Sequence, residues 1–207
     1  MQDAYSGPQF SNEEIEAKLK LYNLKYSLED NIEQKSAHLL AAGKVIGWVQ
    51  GRIEFGPRAL GSRSIVADPR TPQIKDKINL VVKERHPFRP FAPAVLQEDA
   101  PDYFDLPFRS PFMMFVCKVR PEKRDKIPAV VHIDGSSRVQ TVSSITNPRF
   151  YNLINEFKKI TNVGVVLNTS FNVRGEPIVC TPKDAIRCFY TSGLDALAIN
   201  DFLIQKS

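Results

Sequence analysis

The stretch NPRFYNLINEFKKITNVGVVLNTSFN, residues 147–172, holds a complete passage from helix to strand. Asn147 offers an N-cap side chain, and Pro148 fits the first helical position, where no N–H is needed. Leu153, Ile154, Phe157 and Ile160 share one helical face, which predicts a helix to about Thr161. Val163-Gly164-Val165-Val166-Leu167 reads as a buried strand, and it runs into the polar turn that begins at Asn168. A helix feeding a buried strand belongs to a sheet with helices packed on it.

The same alternation extends outward. Ser11 and Glu14 fit a capping box, with Ile15, Leu19 and Tyr22 behind them, so a helix is expected over about 12–23. A second helix is expected from Glu29 to Ala42, stopped by Gly43. Strands are expected at 45–50, at 65–67, at 113–119, at 139–142 and at 197–199 with 202–204, and helices over 72–82 and after Thr181. The stretch PFRPFAPAV (87–95) carries three prolines, which predicts an edge strand. Strands and helices intersperse without a strict βαβ rhythm, so the fold class is α/β (α+β), a mixed twisted sheet with helices packed on it. No repeat, low-complexity segment or linker interrupts the chain. Residues 1–207 are expected to form a single domain, with a helical lead-in over 1–44 and a core over 45–207.

Composition supports a folded chain: 43% of the 207 residues are hydrophobic and 25% charged, enough apolar material for a domain that buries roughly 70% of its unfolded surface. No run approaches a membrane span, and the N-terminus lacks the pattern of a signal peptide. Three cysteines without a CxxC pair indicate neither a disulfide framework nor a zinc knuckle. Three scattered histidines give no metal-ligand spacing, so no protein metal site is expected. A cytoplasmic location follows as the default.

The net charge of +5 is concentrated between Gly51 and Arg89, where nine Lys and Arg face four carboxylates. Six of the nine are arginines, whose planar fork suits phosphate. They alternate with Gly, Pro and Phe, so an anion site is favoured over a solvated basic face. Four segments combine polar density with permissive backbone. In GRIEFGPRALGSRS (51–64), three glycines allow close approach while Arg52, Arg58 and Arg63 supply forks; the phrase is neither a P-loop nor a dinucleotide fingerprint. In KERHPFRP (83–90), an extended chain would turn Lys83, Arg85 and Arg89 to one side. In HIDGSSR (132–138), an Asp-Gly turn would lift Arg138 and the serines from the core, with His132 structural. The turn NTSFN (168–172) offers hydroxyls and amides. Lys83 is expected outside the core, and Met113 and Met114 within it.

Taken together, EFGPRALGSRSIVADPR, VKERHPFRPFAPAV, HIDGSSRVQTV and LNTSFNVRGEPIVCTP resemble the C-terminal domain of the NodU/CmcH-type O-carbamoyltransferases, a YrdC-like domain. The phrases occur in that family's order and cover most of residues 45–207. Lys83-x-Arg85 and Ser170-x-Asn172 fit the KxR and SxN signature found around a nucleotide in YrdC-like domains. The resemblance implies an enzyme domain that forms a carbamoyl adenylate from ATP and carbamoyl phosphate, with Mg²⁺ held mainly by the nucleotide phosphates. It implies catalytic roles for Lys83, Arg89, Arg138 and Ser170, and nucleotide-binding roles for Arg58, Arg85 and Asn172. It also implies an N-terminal Kae1-like partner domain, fused or separate, that passes the carbamoyl group to a small-molecule hydroxyl; this sequence contains no such domain. Two rivals are a threonylcarbamoyl-adenylate synthase-like enzyme and a basic nucleic-acid-binding module. Nucleic acid is disfavoured, because no RNP or helix-turn-helix phrase is present.

Overall fold

The computed structural model describes residues 3–206 except Arg85, Pro87 and the side chain of Val81. Helix α1 (Asn12–Leu21) starts at the Ser11/Glu14 capping box, and α2 (Ile32–Ala41), capped by Asn31, starts at Ile32, three residues later than the sequence pattern suggests. Strands β2 (Ile46–Val49) and β3 (Arg63–Ala67) flank the glycine-rich loop. Helix α3 (Gln73–Lys77) passes into a single π-helical turn at Ile78–Val82. After β4 (Ala92–Leu96) and α4 (Ala100–Tyr103) come β5 (Val116–Lys118), β6 (Ser136–Arg138) and β7 (Gln140–Val142). Helix α5 (Pro148–Thr161) spans the predicted residues, with Asn147 Oδ1 accepting from the Phe150 N–H at 3.1 Å. Then follow β8 (Val165–Ser170), α6 (Pro182–Thr191) and the hairpin β9 (Ala196–Ile199) and β10 (Phe202–Gln205), whose far edge pairs with β1 (Ser27–Leu28).

Among the described residues the sheet runs β1-β10-β9-β2-β3-β8-β4-β7, with β5 and β6 forming a separate ribbon. The β2–β9 and β4–β7 pairs are parallel and the others antiparallel. Helices α2 and α5 pack on one another, and α6 packs on β9 and β2 with α1 beside it. The core is continuous from Ile15 to Ile204, and Trp48, Phe150, Phe157, Phe171 and Phe189 are fully buried in it.

Three expectations about elements are corrected. β4 is an interior strand between β8 and β7. Its Pro93 is tolerated because the ladder to β7 begins only at Ala94, paired with Gln140. The strand expected over 113–119 shrinks to Val116–Lys118, since Met113 adopts a left-handed backbone (φ 56°) that breaks pairing. The turn expected at 168–170 is the continuation of β8: Asn168, Thr169 and Ser170 pair with Val66, Ile65 and Ser64 of β3.

Register decides where the polar segments go. Ser170, at the C-terminal end of β8, lies opposite Ser64 near the start of β3, and Asn168 opposite Ala92 at the start of β4. β7 runs parallel to β4, so its start is at that end too. The segments before β3, before β4 and before β7, and the turn after β8, therefore meet at one end of four adjacent strands.

Candidate functional site

The glycine-rich loop is held by side chains rather than by a ladder. Glu54, only 6% exposed, accepts through Oε1 from the backbone N–H of Leu60 (2.6 Å), Ser62 (3.2 Å) and Arg63 (3.3 Å). The Leu60 carbonyl accepts from Gln140 Nε2 at 2.7 Å and Tyr5 Oη at 2.9 Å. Asn168 Nδ2 donates to the Ala59 carbonyl at 3.1 Å, and the Trp48 indole to that of Gly61 at 3.1 Å. The backbone polar groups around residues 59–62 are thus met by buried partners, which fixes the loop. Gly61 is required here: its φ is +103°, and a Cβ would lie 2.2 Å from the Phe150 ring.

Arg58 projects from this fixed loop and is exposed, and its guanidinium has no hydrogen bond or ion pair among the described residues. Arg138, half-buried at the end of β6, lines the same cleft, and its buried Nε has no partner among the described residues. Burial, and then the nearby Arg58 charge, hold the Arg138 pKa below the ordinary guanidinium value. Two like charges face one cleft whose described lining includes no carboxylate, an arrangement suited to an anion. The cleft is about 590 Å³, and its other walls are apolar: Phe55, Leu60, Phe112, Met113 and Met114. Two guanidinium forks against an apolar wall suit a ligand that is anionic at one end and apolar at the other. Met114 is exposed rather than core, whereas Met113 is buried as expected.

A second group joins two of the sequence signatures. Lys83 is 5% exposed, which corrects the expectation that it lies outside the core. Its Nζ donates to the Ser170 carbonyl (2.5 Å), Asn172 Oδ1 (2.6 Å) and the Asn172 carbonyl (2.9 Å), and Ser170 Oγ lies at 3.3 Å. Ser170 Oγ in turn donates to Asn172 Oδ1 at 2.8 Å. The ammonium turns inward because the turn presents several acceptors within one radius. The backbone at Lys83 is helical and at Glu84 left-handed (φ 46°), so the KxR phrase is not extended. Arg85 lies outside the described residues. Arg89 is exposed at the same end of the sheet, with its carbonyl accepting from Asn79 Nδ2 at 3.0 Å.

Arg63 is corrected from an anion fork to a buried clamp, 1% exposed. Its guanidinium donates to the carbonyls of Cys180, Gln50, Gly51 and Ser62 at 3.0–3.3 Å. The Asp-Gly turn forms with Gly135 at φ +76°, but Ser136 and Ser137 are buried, not lifted out. Ser136 Oγ donates to Asp134 Oδ1 at 2.6 Å and lies 3.3 Å from His132 Nδ1. The Ser136 hydroxyl, and then the Ser136 N–H at 3.0 Å, hold the Asp134 carboxyl down at about 2. Burial lowers the His132 pKa. Sequence reasoning missed Glu54, Tyr5 and Gln140, and it placed Asn168 in a polar turn rather than beneath the glycine-rich loop. The one available signal was Glu54, an acid within an arginine- and glycine-rich phrase, and it pointed to an ion pair rather than to backbone amides. Among the described residues, no cluster of three or more His, Cys, Asp or Glu could hold a metal ion, and no helix is long and apolar enough to cross a membrane.

The family described as Carbamoyltransferase C-terminus matches residues 37–206. The chain is 50% identical over 210 residues to nodulation protein NolO of Bradyrhizobium diazoefficiens, an alignment covering 99% of this chain and 38% of that protein. It is 38% identical over 168 residues to the 3′-hydroxymethylcephem-O-carbamoyltransferase of Amycolatopsis lactamdurans, covering 81% of this chain and 32% of that one. The chain thus spans less than two-fifths of these relatives. Among solved structures, full-length HypF in its phosphate- and nucleotide-bound form aligns with a TM-score of 0.60 at 18% identity, over 83% of this chain and 25% of that one, a likeness of fold.

Proposed function

The chain belongs to the carbamoyltransferase C-terminal family, and we propose that it is the activating, YrdC-like domain of a cytoplasmic O-carbamoyltransferase, folding as a single unit over 1–207. It uses ATP and carbamoyl phosphate. Water cleaves carbamoyl phosphate to phosphate and carbamate, a carbamate oxygen bonds to the α-phosphorus of ATP, and the bond from that phosphorus to pyrophosphate breaks. Carbamoyl adenylate is the product, and a Kae1-like domain, fused or separate, carries its carbamoyl group to a small-molecule hydroxyl.

The observation that carries this reading is the pair of guanidiniums, Arg58 and Arg138, unpaired among the described residues, in a cleft with apolar walls at the same sheet end as the Lys83–Ser170–Asn172 group. Arg58 and Arg138 bind and orient the phosphates. Arg89 and Arg85 add positive charge from the segment before β4. Lys83 holds the Ser170 turn in shape, so that Ser170 and Asn172 face the reactants. Phosphoryl and adenylyl transfer need positioning and charge neutralisation more than a protein nucleophile, and these residue types supply both. Mg²⁺ would ride on the nucleotide phosphates and water.

The test separates the half-reactions. Given ATP, Mg²⁺ and carbamoyl phosphate, the chain should release pyrophosphate but carbamoylate no alcohol until a Kae1-like domain is added. Carbamoylated product formed by this chain alone overturns the division of labour. A folded sample that neither binds ATP nor releases pyrophosphate, with or without that domain, overturns the activating role.

A further inference from the structure

The segment before α1 does more than lead into the fold. The Ala4 carbonyl accepts from the Phe55 N–H at 2.7 Å, the Gly7 N–H donates to the Ile53 carbonyl at 3.0 Å, and the Ile53 N–H to that of Pro8 at 3.0 Å. Arg52 Nη2 donates to the Ser6 carbonyl at 3.3 Å. Residues 4–8 therefore run alongside Arg52–Phe55, the segment that opens the loop carrying Arg58. Ala4 is buried beside Leu60, Ala92 and Met113 and lines the Arg58–Arg138 cleft itself. Tyr5 anchors the segment: its hydroxyl donates to the Leu60 carbonyl at 2.9 Å and accepts from Asn147 Nδ2 at 3.1 Å. One phenol thus ties the segment to the far end of the Arg58 loop and to the residue capping α5. With Ile53 and Phe55 held at one end and Leu60 at the other, the four residues 56–59 between them have little room to shift.

We infer that residues 4–8 are a strap that sets the position of Arg58, and that Tyr5 is its positioning residue. The ligand in this inference rests on the nucleotide reading above. The strap itself rests on the hydrogen bonds just given. Burial raises the Tyr5 phenol pKa, so it stays a hydrogen-bond donor across the working pH range.

Tyr5→Phe removes the donor and leaves the ring. Tyr26→Phe serves as the control, since it deletes a hydroxyl bonded to Glu16 at 2.8 Å, outside the cleft lining. Amide hydrogen exchange should be about tenfold faster at Ile53 and Phe55 in Tyr5→Phe, and ATP affinity by calorimetry about three- to tenfold weaker, the loss of one buried hydrogen bond. Tyr26→Phe should change neither. Exchange unchanged at Ile53 and Phe55, or faster exchange with ATP affinity unchanged, overturns the inference. If the parent protein itself binds no ATP, the nucleotide reading fails, and amide exchange alone decides whether the strap holds the loop.

Discussion

The Lys83 ammonium lies 2.6 Å from Asn172 Oδ1, buried under the turn that ends β8. A side chain from one sequence signature thus closes the loop formed by another, 89 residues away. Such a contact serves shape and electrostatics together. Removing the ammonium strips the acceptors of Ser170 and Asn172 of a charged donor in a place water reaches poorly.

Lys83→Ala should accordingly cost stability as well as ATP affinity. Two or three charge-assisted bonds are lost, and the expected drop in unfolding free energy is about 2–4 kcal/mol. Urea denaturation checks it: the midpoint should fall with the slope unchanged. A midpoint equal to the parent's would mean that the ammonium contributes nothing to the turn.

Glu54→Ala should be among the most damaging changes in the glycine-rich loop, since one carboxylate oxygen serves three backbone amides. A loss of about 2–4 kcal/mol is expected from stranding these buried donors. Glu54→Gln keeps an acceptor and should lose less. Thermal unfolding of both variants tests the order, and equal losses would show that negative charge, not acceptor geometry, is what the loop requires.

Arg58→Lys and Arg138→Lys should leave unfolding within about 1 kcal/mol of the parent, because neither guanidinium has a hydrogen-bond partner among the described residues. Each keeps charge but loses the two-donor fork. Stabilisation by saturating ATP grows with the logarithm of ligand over Kd, so the ATP-induced rise in Tm should shrink in both variants as affinity falls about tenfold or more. A rise as large as the parent's would remove that arginine from the site.

The Asp134 carboxyl should titrate near 2 rather than at the ordinary value of 3.8, first because Ser136 Oγ donates to it and then because the Ser136 N–H does. A carboxyl whose folded pKa is depressed adds stability that is fully present above its unfolded pKa. That stability is lost as pH falls through the window from about 4 to about 2. Carbon-detected NMR of the Asp134 carboxyl follows this directly. Ser136→Ala should return the midpoint toward the ordinary range, and an unmoved midpoint would assign the shift elsewhere.

What the sequence determined by itself was local. The capping box at Ser11, the helix starts at Thr181 and Asn147-Pro148, the apolar faces and the Gly135 turn are set by neighbours within a few residues, so they read directly. The four long phrases likewise marked the family and the arginines. Tertiary structure decided which of those polar residues face outward. Arg63 and Arg58 stand five apart in one phrase, yet register puts Arg63 at the start of a fully buried strand, its donors spent on four carbonyls, and leaves Arg58 free in a cleft. Lys83 read as a surface cation and is buried because β4 and β8 are antiparallel neighbours, which brings the segment before one to the turn after the other. Pro93 argued for an edge, and pairing that begins one residue later made the strand interior. Hydrogen-bond satisfaction over long sequence separations has no local signature. That is why Glu54, Tyr5, Gln140 and Asn168, which hold the Arg58 loop, became visible only once the sheet was assembled.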